Sequence, residues 1–578
     1  VAIAITATTA TTAPLLHAQA NAAPTAASTT APDARSRSAQ VLESWLARMP
    51  FSGAVLVARG DELLLHEARG MADARQALPN TPQTRHLLAS VSKQFTAAAV
   101  LRLVDQGRVH LDEPVRAYLP ELPAAWRRVT VRQLLAHTSG IPNHTEGEAF
   151  EQTKTRAWTP RELLASFADK PLEFTPGTRF RYSNSGYIVA GILIETVSGL
   201  SYAQFVEREL LQPLGLSDTG VADGSKAVAR LAKGLRPGTD SSEAGFVHMS
   251  VPYAAGAFYG STADLLRWQR ALYGGKLLSA QSLREMTKVQ QGVYALGLGV
   301  RGTADAPLYH HSGSIDGFST YLLYDSAAGV SVALLANREG LNLERMAAQL
   351  ADAASGRPVR LPHEVPAVVL DKAQLQALEG TYERPGQPGS FWVVLSGDQL
   401  WARQGPEAWR ELRPQSSTLF YAPEIDAELR FERATDGRGT SLRPLGGPEG
   451  EVGRAWQRVE KPLPSLLNQR LFLRGSVNRW GTADRMRSDG SGRHEIEVRW
   501  PAGDHEFKIA SEDWSAADFG GSDNQAVLLP QAATSRLAMA FAGRNLVLRL
   551  DAPAACRLVL DGRDPVRPTL EWHCRPHP

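Results

Sequence analysis

From Gln40 onward the hydrophobic positions fall into two periods. Val41, Leu42, Trp45, Leu46 and Met49 recur at helical spacing, which predicts an amphipathic helix. Gly53-Ala54-Val55-Leu56-Val57 and Leu63-Leu64-Leu65-His66 flank Gly60-Asp61, a hairpin pattern. Val91 through Val104 reads as a helix that Gly107 terminates, and Ile188 to Val197 as another. Phe318 to Tyr324 and Val330 to Ala336 read as paired strands. Residues 39–355 are therefore mixed α/β. From Leu378 to Val459 the helical period is gone. Short apolar runs such as Trp392-Val393-Val394-Leu395 alternate with the turn pairs Gly397-Asp398 and Asp436-Gly437, so residues 378–459 read as a small antiparallel β domain. His494 to Trp500 alternates with period two, and residues 465–578 read as a further β domain. Pro358, Pro362 and Pro366 mark a linker over 356–377, and Pro462 to Pro464 a second break.

The 578 residues are enough for several domains with real cores. Lys plus Arg number 62 against 60 Asp plus Glu, so the net charge is small and no basic block points to nucleic acid. The first 32 residues carry no charged side chain and contain Ala18-Gln19-Ala20. Residues 1–20 read as a signal peptide and 21–38 as a flexible leader, which predicts periplasmic or secreted location; the competing reading is a plain disordered tail. No other stretch has the roughly 20 apolar residues that span a bilayer. The two cysteines, Cys556 and Cys574, are a candidate disulfide or two free thiols; spacing alone does not decide.

Three short elements carry candidate chemistry. In Ser90-Val91-Ser92-Lys93 the i and i+3 spacing puts the Ser90 hydroxyl and the Lys93 amine on one helix face. A buried amine, neutral part of the time, can take the proton that makes a serine nucleophilic. Alone, Ser-x-x-Lys arises by chance about once or twice in such a chain. Tyr182-Ser183-Asn184 follows the turn Pro176-Gly177. There a phenol can relay a proton, and Asn184 can hold Lys93 and orient a substrate; a packed core tyrosine is the bland alternative. His311-Ser312-Gly313 precedes the two paired strands, where an ordinary strand-edge histidine is the alternative.

In this order the three elements resemble those of the serine β-lactamase and D,D-peptidase superfamily. The Tyr-x-Asn element is similar to the branch holding class C β-lactamases, D,D-carboxypeptidases, D-aminopeptidases and esterases. Leu111-Asp112-Glu113-Pro114-Val115, Leu134-Leu135-Ala136-His137-Thr138-Ser139-Gly140, Gln212-Pro213-Leu214-Gly215-Leu216 and Gly260-Ser261-Thr262-Ala263-Asp264-Leu265-Leu266 match the same branch, over about residues 40–350. The resemblance implies an α+β fold: an antiparallel sheet flanked by helices, a helical lobe, and the site between them. It implies acylation of Ser90, Lys93 and Tyr182 as acid–base groups, substrate contacts from Asn184, His311, Ser312 and Gly313, and an oxyanion held by the Ser90 and Ser314 backbone N–H groups. No cofactor or metal is expected. His311 stands where class C enzymes carry a lysine. That favours a peptidase, amidase or esterase over an efficient β-lactamase. The alternatives are a weak β-lactamase, or an inactive penicillin-binding or glycan-binding scaffold.

Residues 378–459 are similar to small barrel-like domains that follow some of these hydrolases, and such a domain can cap the cleft or be purely structural. Leu471 to Trp480 and Gly503 to Ala510 resemble immunoglobulin-like glycan-binding modules. That resemblance makes Trp480, Lys508 and Trp514 candidate contacts for a polysaccharide or peptidoglycan; core tryptophans are the alternative.

Overall fold

The computed structural model describes residues 33–576 except 147, 225–226, 237–242, 362–366, 385–388, 406–408, 424–426, 446–454, 464–468, 513–516, 522–526, 529–532 and 540–544. The expected signal peptide, most of the leader, Pro362, Pro366, Pro464 and Trp514 lie outside the described residues. The last part of the leader is a helix. Asp33 accepts a hydrogen bond from the Ser36 backbone N–H at 2.7 Å and caps the helix Ala34–Leu46. This helix thus starts about a turn and a half before the expected point.

The first domain is built on one antiparallel sheet of six strands. Their order is Glu62–Arg69, Gly53–Arg59, Val330–Ala336, Phe318–Asp325, Ala306–Ile315 and Gly299–Thr303. The strands nearest the two ends of the domain pair at its centre, Gly53 opposite Ala336. Everything between residues 70 and 298 is therefore an insertion that leaves the sheet and returns. Both faces of the central strands are covered, which is why they read as continuous apolar runs. Period two divides them. Leu56, Ala58, Leu322, Ala333 and Leu335 face the inserted helical lobe. Val55, Val57, Leu323, Val332 and Leu334 face the terminal helices Ala34–Leu46 and Glu344–Ser355. The lobe packs the helices Ser92–Asp105 and Asn184–Ser198 into its own core. Among the described residues no single helix is long and apolar enough to cross a membrane.

The second domain is a closed barrel of eight strands, each paired with its chain neighbours, from Gly380–Glu383 to Trp456–Val459. Tyr382, Val393, Leu400, Ala402, Phe420, Phe431 and Leu442 fill it. The helix Lys372–Gln376 lies in the stretch read as linker, and its Leu375 joins this core. The barrel meets the terminal-helix side of the first domain. Arg48 donates to the Pro423 carbonyl at 2.5 Å, and Arg360 pairs with Glu428 at 3.1 Å. Among the described residues, none of the barrel lines the cavity beside Ser90.

The third domain folds two groups of strands around one apolar cluster. Ala533–Met539 pairs with Asp518–Gly521 in one group and with Thr569–Pro576 in the other, and so joins them. Cys556 and Cys574 are directly opposed on neighbouring strands and form a disulfide, which removes the free-thiol alternative. The expectation for Lys508 fails. Its amine is buried and pairs with the Asp518 carboxylate at 3.0 Å, so it offers nothing to a sugar. Trp480 is half-buried in a left-handed turn, with its carbonyl accepting from Arg474 at 2.7 Å.

Candidate active site

The nucleophile candidate sits on a strained turn. Ala89 has φ +48°, which costs a non-glycine residue energy, and the single 3₁₀ turn Ala89–Val91 then runs into the helix Ser92–Asp105. The strand carrying His311-Ser312-Gly313 holds that turn in place. A Cβ on Gly313 would lie 2.3 Å from the Leu88 carbonyl oxygen and 3.2 Å from the Ala89 Cβ. Only glycine lets strand and turn approach this closely. Thr320, opposite Gly313 in register, donates its hydroxyl to the Leu88 carbonyl at 2.9 Å.

Lys93 is fully buried and has three oxygen neighbours: Ser90 Oγ at 3.0 Å, Asn184 Oδ1 at 2.8 Å and the Ala255 carbonyl at 2.9 Å. Burial pushes its pKa well below the usual lysine range. A neutral amine has two N–H groups and one lone pair. The Asn184 and Ala255 oxygens can only accept, so they take the two N–H groups. In that uncharged form the lone pair is left to accept from the Ser90 hydroxyl, 3.0 Å away. Ser92, the other hydroxyl in the motif, is buried on a different side and accepts from the Phe258 N–H at 3.1 Å.

Tyr182 lies on the segment entering the helix Asn184–Ser198, hydrogen-bonded to Ser90, with its ring centroid 4.8 Å from Lys93 Nζ. Dehydration pushes its phenol pKa up, against the smaller effect of the Ser90 contact. The two groups beside Ser90 thus move in opposite directions: the amine sheds its proton readily and the phenol keeps its own. Asn184 is fixed on three sides. Its N–H donates to Asn143 Oδ1 at 3.0 Å, its Nδ2 donates to Thr145 Oγ1 at 2.9 Å, and its Oδ1 holds Lys93.

His311 is buried and both ring nitrogens are engaged. The Tyr294 hydroxyl donates to Nε2 at 2.8 Å, and Nδ1 reaches the Ser312 carbonyl at 2.6 Å. A carbonyl accepts only, so Nδ1 carries a proton. Burial, with a smaller contribution from Lys93, lowers its pKa to about 3. The strand Gly299–Thr303 ends its pairing opposite His310, which leaves the edge from His311 to Ile315 facing the cleft. Ser90, Asn184 and Ser314 line one cavity of 210 Å³ there. The structure therefore brings Ser90, Lys93, Tyr182, Asn184, His311 and Ser314 together. Ser312 is exposed on the same strand, and Gly313 faces the nucleophile turn.

Four contributors are not visible as chemistry in the sequence. His137, buried with φ +58°, packs its ring, tilted by 34°, with its centroid 4.1 Å from that of Tyr182 and accepts from the Ser183 N–H at 3.1 Å. Its run, His137-Thr138-Ser139-Gly140, stood out only by resemblance. Tyr294 and the Asn143–Thr145 pair gave no local signal, and the Ala255 acceptor is a backbone carbonyl. Among the described residues no group of His, Cys, Asp and Glu is arranged to hold a metal ion.

Residues 43–356, more than half of the chain, match the family model described as Beta-lactamase. Penicillin-binding protein 4* of Bacillus subtilis (strain 168) is 25% identical over 434 residues, covering 70% of this chain and 95% of its own. Among solved structures, the octameric penicillin-binding protein homologue from Pyrococcus abyssi has a TM-score of 0.53 at 23% identity, over 72% of this chain and 97% of that one, and shares the fold. D-amino acid amidase from Ochrobactrum anthropi SV3 is 25% identical, with a TM-score of 0.49, over 56% and 96%. The chain belongs to the β-lactamase family, as a serine hydrolase that carries two further β domains.

Proposed function

We propose that this hydrolase cleaves small peptides, amides or esters through an acyl-enzyme on Ser90, with Lys93 as base and Tyr182 as acid. The observation that carries the reading is the fully buried Lys93 amine 3.0 Å from Ser90 Oγ, with burial lowering the amine's pKa. Ser90 Oγ attacks the carbonyl carbon, and its proton passes to Lys93. The oxyanion is held by the backbone N–H groups of Ser90 and Ser314. As the carbon–leaving-group bond breaks, the leaving nitrogen or oxygen takes the Tyr182 proton, and Tyr182 is reprotonated by the Lys93 ammonium. Water then attacks the acyl ester, gives its proton to the same pair, and Ser90 departs with a proton. The net reaction is hydrolysis, with the enzyme returned to its starting state.

The neutral His311 ring supports a site that does not rely on a fixed positive charge for a substrate carboxylate, and so speaks against efficient β-lactam turnover. The charge-free N-terminal stretch with Ala18-Gln19-Ala20 supports export to the periplasm or medium. Ser90→Ala tests the assignment: hydrolysis of the best nitrophenyl ester should fall on the order of a thousandfold or more with the melting temperature retained. Near-wild-type turnover in that variant contradicts it.

A further inference from the structure

The cavity beside Ser90 has a chemical asymmetry that bears on which end of a substrate is read. At 210 Å³ it is smaller than the roughly 300–1,000 Å³ of sites for drug-sized ligands, so it takes one residue-sized group. Phe150, Val247, Val251 and Ile315 give it an apolar wall. Among the described residues lining it, Asp316 alone has a charged side chain. Asp316 follows Ile315 at the end of the edge strand, two residues past Ser314. One of its oxygens, Oδ2, is 2.7 Å from Lys154 Nζ. A carboxylate has acceptor positions on both oxygens, so pairing with Lys154 leaves room for a second cation on Oδ1. Lys154 itself does not line the cavity. Among the described residues that line the cavity, none has a positively charged side chain.

We propose that Asp316 is a specificity-determining residue that binds the free ammonium of an α-aminoacyl substrate, while the apolar wall takes that residue's side chain. The inference rests on the Ser90 acyl-enzyme reading and deepens it. The enzyme reads the amino end on the acyl side of the scissile bond, rather than a carboxylate on the leaving side. Neutral and cationic acyl groups enter; an acyl group carrying a carboxylate next to the scissile carbonyl is repelled.

The test compares kcat/KM for aminoacyl nitroanilides with a free amine and with an N-acetyl cap, made in both hands with Phe and Leu side chains. For the wild type the free amine should win by about two- to fivefold, the scale of a partly exposed ion pair. Asp316→Asn should bring that ratio close to one. Lys154→Gln leaves the carboxylate without its competitor and should raise the ratio. A merely structural ion pair would move both variants the same way. Equal or better turnover of the capped substrates by the wild type overturns the proposal, as does an unchanged ratio in Asp316→Asn. So does a complete lack of anilide turnover alongside Ser90-dependent hydrolysis of nitrophenyl acetate. A fall of the ratio in Lys154→Gln overturns it in favour of Lys154 reading a substrate anion. Ester hydrolysis that survives Ser90→Ala would instead remove the acyl-enzyme reading itself.

Discussion

Gly313→Ala isolates the contact that sets the nucleophile. The new methyl would sit 2.2 Å from Thr320 Oγ1 and 2.3 Å from the Leu88 carbonyl oxygen. An ordinary C···O contact is about 3.3 Å, so each is about 1 Å too short. Thr320 can rotate away, at the cost of its 2.9 Å hydrogen bond to Leu88, about 1 kcal/mol. The Leu88 carbonyl is backbone and cannot move without moving Ala89, which is already at φ +48°. Overpacking of this kind costs about 1–3 kcal/mol. Together the two effects give about 2–4 kcal/mol, a melting shift of several degrees in a domain of this size. A displacement of about 1 Å at a reacting group costs about a hundredfold in rate. Initial rates on a nitrophenyl ester and a calorimetric scan read both effects. Adding Thr320→Ala should not restore the rate, because the clash with the Leu88 carbonyl remains. Turnover within twofold of wild type in Gly313→Ala would refute the argument that this strand positions Ser90.

Three further outcomes follow from the same geometry. Tyr182→Phe should lower kcat by about 10²–10⁴-fold with little change in KM, since the phenol acts as an acid in the transition state; unchanged kcat reduces it to packing. Folding stability should fall as pH drops from about 6.5 towards 4, because His86 and His144 are held near a pKa of about 4, and His310 and His311 near about 3, all by burial. In that window the unfolded chain binds more protons than the folded one, at about 1.4 kcal/mol per pH unit for each histidine that titrates, so a melting temperature flat from pH 7.5 to 5 contradicts their burial as neutral rings. A chain ending at Val459 should keep ester hydrolysis, since the cavity is lined by residues 89–316 alone, but should bind more of a hydrophobic dye. Ser396 and Gln399 on the barrel lose Asp564 and Arg567, whose guanidinium covers the Trp401 ring; unchanged dye binding would mean that surface needs no cover.

What the sequence made legible was whatever has a local spacing. Ser90 and Lys93 share a helix face, and strands buried on both sides announce themselves as unbroken apolar runs. The cap at Asp33 was missed because Ala34 to Ser38 are small or basic and carry no apolar period, so a helix set by its cap reads as leader. Lys508 was named by resemblance alone, and a resemblance does not tell what covers a side chain. Here Asp518 arrives from a neighbouring strand. The partners of His311 and Asn184 come from segments tens of residues away or from backbone atoms. Tyr294, His137 and the Ala255 carbonyl acquire their roles only when the inserted lobe closes on the sheet.

The central claim is that Ser90 is acylated with Lys93 as its base. Its most direct measurement is intact and peptide-level mass spectrometry after reaction with a fluorophosphonate and with a penicillin. The account predicts one adduct per chain, on the peptide containing Ser90. It should be absent in Ser90→Ala and form far more slowly in Lys93→Ala, with the wild-type labelling rate rising with pH through the lowered Lys93 pKa. An adduct on Ser92 or any other residue, or labelling of equal speed without Lys93, would contradict it.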